Sequence, residues 1–306
     1  MKPKILITDK LHEIAINEAK TFADVDVHLK CPPEELVKKI KDYDALIVRS
    51  ETKVTKDVID AASKLKVIGR AGVGLDNIDV EHAKKKGIEI VNSPECSTIS
   101  VAEHTIGLMI ALLRKIPSGE KHIREGKWER SKFQGNELFG KTLGIVGFGR
   151  IGKEVALRSR AFGMKVLAYD PYLTVEDMRE FDVEYVELDG LLKRSDVVSV
   201  HVPLVKETKN LIDGNKLSLM KKSAIIVNTA RGGVINEDAL VNALRENKIK
   251  GAALDVYENE PPVGSPLLTL ENVVLTPHLA SGTEEAQINA GTIVVEKIKN
   301  YFRAKK

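Results

Sequence analysis

Cysteine is almost absent: Cys31 and Cys96 are the only two in 306 residues. Neither sits in a C-x-x-C pair or in the spacing of a structural metal site, which argues against a disulfide or zinc framework. No metal is expected, and a reduced, cytoplasmic setting is the simpler reading. An excess of one charge is missing as well. The 47 Lys and Arg against 44 Asp and Glu leave only +3, and no basic block stands out. A dominant nucleic-acid surface is therefore not expected. Long apolar runs are lacking too, and "MKPKILITDK" leads directly into a strand, so neither a signal peptide nor a membrane span is expected. Short-period repeats and low-complexity tracts are missing.

What is present is an ordinary globular composition, 43% hydrophobic, on a chain long enough for two domains. Short apolar runs alternate with helix-like segments, the pattern of parallel sheets covered by helices. "KILIT", "ALIVR", "KVIGR" and "IEIVN" read as buried strands in the first hundred residues, with "PPEELVKKI" a helix opened by proline. "SVAEHTIGLMIALLRKI" reads as a long helix ended near Pro117, followed by a polar stretch. A second series of strands follows: "TLGIVGFG", "KVLAYD", "VVSVHVP", "AIIVNTA", "GAALDV" and "VVLTPH". The closing helix, "EEAQINAGTIVVEKIKNYF", is expected to return to the first domain. The expected fold is α/β: two Rossmann-like, doubly wound parallel-sheet domains, one inserted in the other. Residues 1–99 and 283–306 are expected to form one domain, and residues 100–282 the other. A cleft between two such domains is a usual location for a cofactor and substrate.

The stretch "KTLGIVGFGRIGKEVA" carries the first chemical signal. Gly147, Gly149 and Gly152 stand between a strand and a helix, in the G-x-G-x-x-G spacing that lets a pyrophosphate approach the N–H groups at a helix start. Taken alone it also fits a plain tight turn. Asp170 ends the next strand, "MKVLAYDP", eighteen residues after Gly152. That is near the distance expected for the acid that accepts hydrogen bonds from the adenosine ribose. A carboxylate there repels a 2′-phosphate, so NAD is favoured over NADP. Arg231 follows the strand "AIIVN" and suits a carboxylate by its forked donors, or it satisfies helix-end carbonyls. Gly232 and Gly233 permit a tight turn, and Asn236 reads as the N-cap of the next helix. His278 follows another strand end and suits proton exchange. Glu260, in "LDVYENEPP", reads by itself as a surface acid.

"GFGRIG", "TARGG", "LDVYENEPP" and "TPHLA", in this order, resemble the D-isomer-specific 2-hydroxyacid dehydrogenases over almost the full length. The resemblance implies Arg231 as the ligand of the substrate carboxylate, His278 as acid/base and Glu260 as its partner. It implies cofactor contacts at Gly147, Gly149, Arg150, Ile151, Gly152, Asp170, Thr229, Ala230, Arg231, Asp255, His278 and Ala280, with Asp255 near the nicotinamide amide. "LIVRSETKVT", "VIGRAGVGLDNID" and "GKWERSKFQGNEL" resemble the branch that oxidises 3-phospho-D-glycerate to 3-phosphohydroxypyruvate, the first step of L-serine biosynthesis. This implies substrate contacts at Arg49, Ser50, Arg70, Gly72 and Val73 besides Arg231 and His278. Where many relatives carry Gly-Asn, this chain has Cys96 and Ser97; Cys96 reads as a small buried residue. The chain stops at Lys306, so the regulatory modules of longer relatives are expected to be missing. The alternatives are a glyoxylate or hydroxypyruvate reductase, or another D-2-hydroxyacid dehydrogenase, with the same machinery, and a non-catalytic NAD-sensing corepressor. The expected partners are a small anionic 2-hydroxy or 2-keto acid and a second copy of the chain, in a homodimer or higher homo-oligomer. In such a dimer the loop "GKWERSKF" would bring Arg130 and Lys132 to the neighbouring subunit, anchored by Trp128 and Phe133. The alternative for that loop is a solvated basic segment packed on its own chain.

Overall fold

The structure, a computed structural model, describes residues 2–304. It divides into two compact units, Met1–Ser97 with Gly282–Lys306, and Thr98–Ser281.

The first unit runs β1 (Lys4–Ile7), α1 (Glu13–Phe22), β2 (Asp24–Val27), α2 (Pro33–Lys39), β3 (Ala45–Val48), α3 (Lys56–Ala61), β4 (Val67–Arg70), α4 (Val80–Lys85) and β5 (Glu89–Asn92). The five strands are parallel in the order β2-β1-β3-β4-β5. Alternate residues of each strand face opposite sides. Ile5, Ile7, Ala45, Ile47 and Val67 therefore enter one core, and Leu6, Leu46, Val48 and Ile68 the other. Continuous apolar runs buried on both faces made these strands legible. Edge strand β2, "DVDV", has no buried residue and escaped.

The second unit runs α5 (Thr98–Leu113), α6 (Ile116–Arg124), β6 (Thr142–Val146), α7 (Arg150–Ala161), β7 (Lys165–Tyr169), α8 (Val175–Arg179), β8 (Glu184–Tyr185), α9 (Leu188–Arg194), β9 (Val197–Val200), α10 (Gly214–Ser218), β10 (Ile225–Asn228), α11 (Glu237–Arg245), β11 (Gly251–Leu254) and β12 (Val273–Leu275). Its seven strands are parallel in the order β12-β11-β10-β9-β6-β7-β8. The order reverses between β6 and β9, and a ligand crevice opens beyond the carboxyl ends at such a point. Leu143, Ile145, Val197, Ile225 and Val227 fill one side of the sheet; Val146, Val198, Val200, Ile226 and Leu254 fill the other. Both units are thus Rossmann-like parallel sheets.

α12 (Glu284–Ala304) packs on α1, β4 and β5 of the first unit. A β-carbon on Gly69 of β4 would meet Val294 at 2.5 Å and Ile298 at 2.8 Å, so the glycine admits the helix. The helix expected to end near Pro117 stops at Leu113. Lys115, at φ 54°, breaks it, and Pro117 sits in the first turn of α6, where its missing N–H costs nothing. Part of the polar stretch is therefore helical. Among the described residues, no helix is long and apolar enough to cross a membrane.

Candidate active site

Each glycine of the 147–152 turn answers a different demand. Gly147 has φ 93°, and a β-carbon there would press on the His201 backbone and Val202 at 2.7–2.8 Å. At Gly152 it would strike the Gly147 carbonyl, so this glycine allows α7 to approach β6. At Gly149 it would meet nothing within 4 Å. Gly149 is also the N-cap of α7 and gives no side-chain cap. The space before the helix start is open, and its first N–H groups keep their donor capacity for a phosphate. Arg150 is exposed there, Ile151 half-buried. Phe148, fully buried, anchors the turn and meets the Phe181 ring edge-on at 5.6 Å. Asp170 takes a backbone hydrogen bond on each oxygen, from Phe148 N at 2.9 Å and Tyr172 N at 3.0 Å. It joins the glycine turn to the end of β7 and retains lone pairs for two hydroxyls. These residues fit a dinucleotide.

The same carboxyl edge carries the loops after β10, β11 and β12. Asn228 ends β10, and its amide bridges the turn: Oδ1 accepts from Ala230 N at 3.0 Å, and Nδ2 donates to Arg231 O at 2.9 Å. Thr229 is tied to Thr105 of α5 through their hydroxyls at 2.8 Å. The Arg231 guanidinium donates to Ala230 O at 2.8 Å, which leaves most of its donors for a ligand. Gly232 is needed for close approach: a β-carbon would overlap Tyr257 O. Gly233, at φ 77°, is the glycine that makes the turn. Asn236 caps α11 by accepting from Ala239 N at 2.8 Å. The Arg231 turn is thereby pressed onto the segment that carries Glu260.

Glu260 Oε1 accepts from Tyr257 N at 3.1 Å, and Oε2 faces His278 Nδ1 at 2.8 Å. Both side chains are partly exposed, at 38% and 47%, so the ring's Nε2 remains accessible to a reactant. His278 has φ 54°, an uncommon conformation for a residue with a side chain. Asp255 holds it there. Its buried carboxylate accepts from Thr276 Oγ1 at 2.6 Å, Leu279 N at 2.7 Å and Ala280 N at 2.8 Å, with His104 Nε2 at 3.4 Å. Burial pushes the Asp255 carboxyl up, but the hydrogen bonds from His104, Thr276, Ala280 and Leu279 outweigh it and hold it below the usual carboxylate range. The Tyr257 hydroxyl donates to Thr276 O at 2.9 Å; burial and then the Asp255 charge push it up to about 12.

In the first unit, Arg49 and Arg70 come at the carboxyl ends of the adjacent strands β3 and β4. The Arg49 guanidinium donates to Lys10 O at 3.2 Å. Arg70 folds back over Gly72, which has φ 145° and donates its N–H to Ser93 Oγ at 2.8 Å. Ser50 and Val73 are exposed, and Cys96 is buried as expected. His28, Cys31 and Glu35 bring their ligand atoms within 4.8 Å of one another, a set that C-x-x-C rules do not flag. The Lys39 ammonium fills it, 3.0 Å from His28 and 3.2 Å from Glu35.

Arg130 and Lys132 lie in a short 3₁₀ turn, Arg130–Phe133. Lys132 pairs with Glu129 at 2.7 Å. Phe133 packs on His122 of its own chain at 4.9 Å, so of the two expected anchors only Trp128, 77% exposed, is available to a partner.

Residues 106–280 match the family model of the D-isomer specific 2-hydroxyacid dehydrogenase NAD binding domain. The chain belongs to this family. Its dinucleotide-binding domain takes NAD. The chain is 55% identical to a D-3-phosphoglycerate dehydrogenase of Methanocaldococcus jannaschii over 98% of its length and 57% of that protein's. It is 52% identical to a hydroxypyruvate reductase of Thermotoga maritima over 87% of each. It spans about half the length of the D-3-phosphoglycerate dehydrogenases it matches. Among solved structures of the family, the Aquifex aeolicus D-lactate dehydrogenase complexed with NAD and lactic acid superposes with a TM-score of 0.84. It shares 33% identity, over 98% of this chain and 96% of that one. Sequence reasoning missed Asn228, His104, Thr276 and Phe148. Phe148 and Thr276 lie inside GFGRIG and TPHLA, Asn228 directly precedes TARGG, and His104 lies in a long helix that carries no chemical motif.

Proposed function

We propose that this chain oxidises 3-phospho-D-glycerate to 3-phosphohydroxypyruvate with NAD, in the cytoplasm, as the first step of L-serine biosynthesis. The observation that carries the chemistry is the His278–Glu260 pair, 2.8 Å apart through Nδ1. With the Nδ1 proton donated to the Glu260 carboxylate, Nε2 presents a lone pair to the C2 hydroxyl and accepts its proton. Glu260 then stabilises the imidazolium. Arg231 holds the substrate carboxylate and the oxygen that becomes a carbonyl. NAD, which the 147–152 turn and Asp170 would hold, would supply the hydride acceptor for C2. Arg49 and Arg70 supply cationic forks for the phosphate. The relatives named D-3-phosphoglycerate dehydrogenase, at 47–55% identity, support that choice of substrate.

The Thermotoga relative supports a second reading, reduction of hydroxypyruvate, in which His278 gives the proton. A panel of 3-phospho-D-glycerate, 3-phosphohydroxypyruvate, hydroxypyruvate and glyoxylate with NAD(H) and NADP(H), followed by cofactor absorbance, separates the two. A preference for the phosphorylated acids supports the first reading; equal use of hydroxypyruvate overturns it. No turnover on any of them would leave an NAD sensor.

We also propose a homodimer. α6 has no buried residue, and Ile116, Ile123 and Trp128 are exposed apolar side chains in one stretch of chain. Light scattering tests this.

A further inference from the structure

α5 has no place in the sequence-derived chemistry, yet two neighbouring residues on it hold the loops of the carboxyl edge. Thr105 holds Thr229 after β10. His104 reaches across 172 residues of sequence to Thr276, with Nε2 at 3.2 Å from Oγ1. Donor bookkeeping sets the state of His104. The Thr276 hydroxyl has one proton and gives it to Asp255 Oδ1 at 2.6 Å. Toward His104 it can only accept, and so can the Asp255 carboxylate, 3.4 Å away. Nε2 must therefore carry a proton. That N–H fixes the rotor of Thr276 and adds a donor to a buried carboxylate, which in turn grips Leu279 N and Ala280 N on the far side of His278.

We infer that His104 is a positioning residue for the acid/base: its Nε2–H, through Thr276 and Asp255, locks the 276–280 turn and so aims the imidazole of His278 at the reacting oxygen. This rests on the acid/base reading of His278. It requires no contact between His104 and substrate or cofactor. Removing the N–H leaves the carboxylate one donor short and the turn looser. The effect falls more on the proton-transfer step than on ligand binding, because the aim of the imidazole is the more sensitive to a small displacement.

The test uses the full chain with NAD and 3-phospho-D-glycerate, or whichever acid of the panel is turned over. His104→Leu is expected to lower kcat about tenfold while KM for NAD changes less than about twofold. His104→Gln, whose amide N–H reaches the place of Nε2–H, is expected to restore kcat to within about threefold. Thr276→Val cuts the link at its middle and serves if His104→Leu does not fold. The double variant is expected to be no slower than the slower single one, because the two residues act in one chain. Imidazole ¹⁵N shifts of the ligand-free protein are expected to show the Nε2–H form of His104. Wild-type kcat in His104→Leu, failure of His104→Gln to restore it, losses that multiply in the double variant, or an Nδ1–H form would each overturn the inference. His278→Gln is the reference. If it retains wild-type kcat, the acid/base reading falls and takes this role with it; if it is inactive while His104→Leu keeps wild-type kcat, only the role of His104 falls.

Discussion

Gly149 and Gly152 stand in one turn and obey different constraints, so the same substitution should act on different observables. A β-carbon at Gly149 enters open space. Gly149→Ala is expected to leave the urea midpoint unchanged and to weaken NAD binding about tenfold, or about 1.4 kcal/mol. A β-carbon at Gly152 strikes backbone, and Gly152→Ala is expected to cost about 2 kcal/mol of stability. Calorimetric NAD titration beside urea unfolding checks both; an equal loss of stability would sink the assignment of Gly149 to the phosphates. Asp170→Ala disturbs the turn for either cofactor, because it also ties Phe148 N and Tyr172 N. The ratio of NADP to NAD efficiency is therefore the informative quantity, and it should rise. Were wild type to use NADP equally well, that role of Asp170 would be wrong. His278→Ala is expected to lower kcat about 10³-fold with little change in KM, and Arg231→Ala to raise KM for the acid as well. Steady-state kinetics on both variants decides, and near-normal turnover of His278→Ala would defeat the acid/base assignment.

At the scale of elements, the turn after β10 and the segment after β11 behave as one unit. Gly232 makes this possible, since Tyr257 O occupies the space of its missing side chain. Gly232→Ala must push backbone against backbone, so it is expected to cost about 3 kcal/mol and to lower kcat by separating the Arg231 turn from the Glu260 segment. Urea unfolding and kinetics on the same preparation measure the two effects. Read from the sequence, Gly232 was only part of a tight turn, because what it faces lies outside the local chain. The α5–α6 break was misread for a related reason. Proline was taken as a stop, whereas in the first turn of a helix it is a start, and the residue that breaks the chain direction is Lys115.

At the scale of the whole molecule, acid stability depends on a histidine at the carboxyl end of β9, beside the glycine turn of residues 147–152. His201, after β9, shares Nε2 with Ser199 Oγ at 2.8 Å, and its Nδ1 is buried without a partner among the described residues. Burial pushes its pKa down to about 3. Between about 6.5, the unfolded value, and 3 the unfolded chain binds a proton that the folded one refuses. Stability is therefore full above that range and falls as the pH drops through it, by up to about 1.4 kcal/mol per pH unit. His201→Gln removes this slope, which urea midpoints from pH 7 to 5 would show; an unchanged slope would mean that His201 is not the group responsible. The proposed dimer makes a separate prediction. If Arg130 and Lys132 serve the neighbouring site, a mixed dimer of His278→Ala with Arg130→Ala/Lys132→Ala regains activity in one site. If the loop serves its own chain, every site is damaged and nothing is regained. The Lys132–Glu129 pair and Phe133 packed on His122 already hold part of this loop to its own chain.

What the sequence determined by itself was local or periodic. Strands buried on both faces are continuous apolar runs, a glycine turn joins strand to helix within six residues, and a capping residue sits next to the helix it caps. These rules act over a few bonds, so reading along the chain recovers them. By itself Glu260 read as a surface acid and only the family resemblance paired it with His278; the tertiary structure alone set their 2.8 Å contact and decided that Asp255 is the latch of the histidine turn and that His104 reaches Thr276 across 172 residues. Such contacts follow from the order in which strands join a sheet and from which helix covers their ends. No spacing along the chain encodes that order, because sheet neighbours are chosen by burial of whole faces rather than by any single residue.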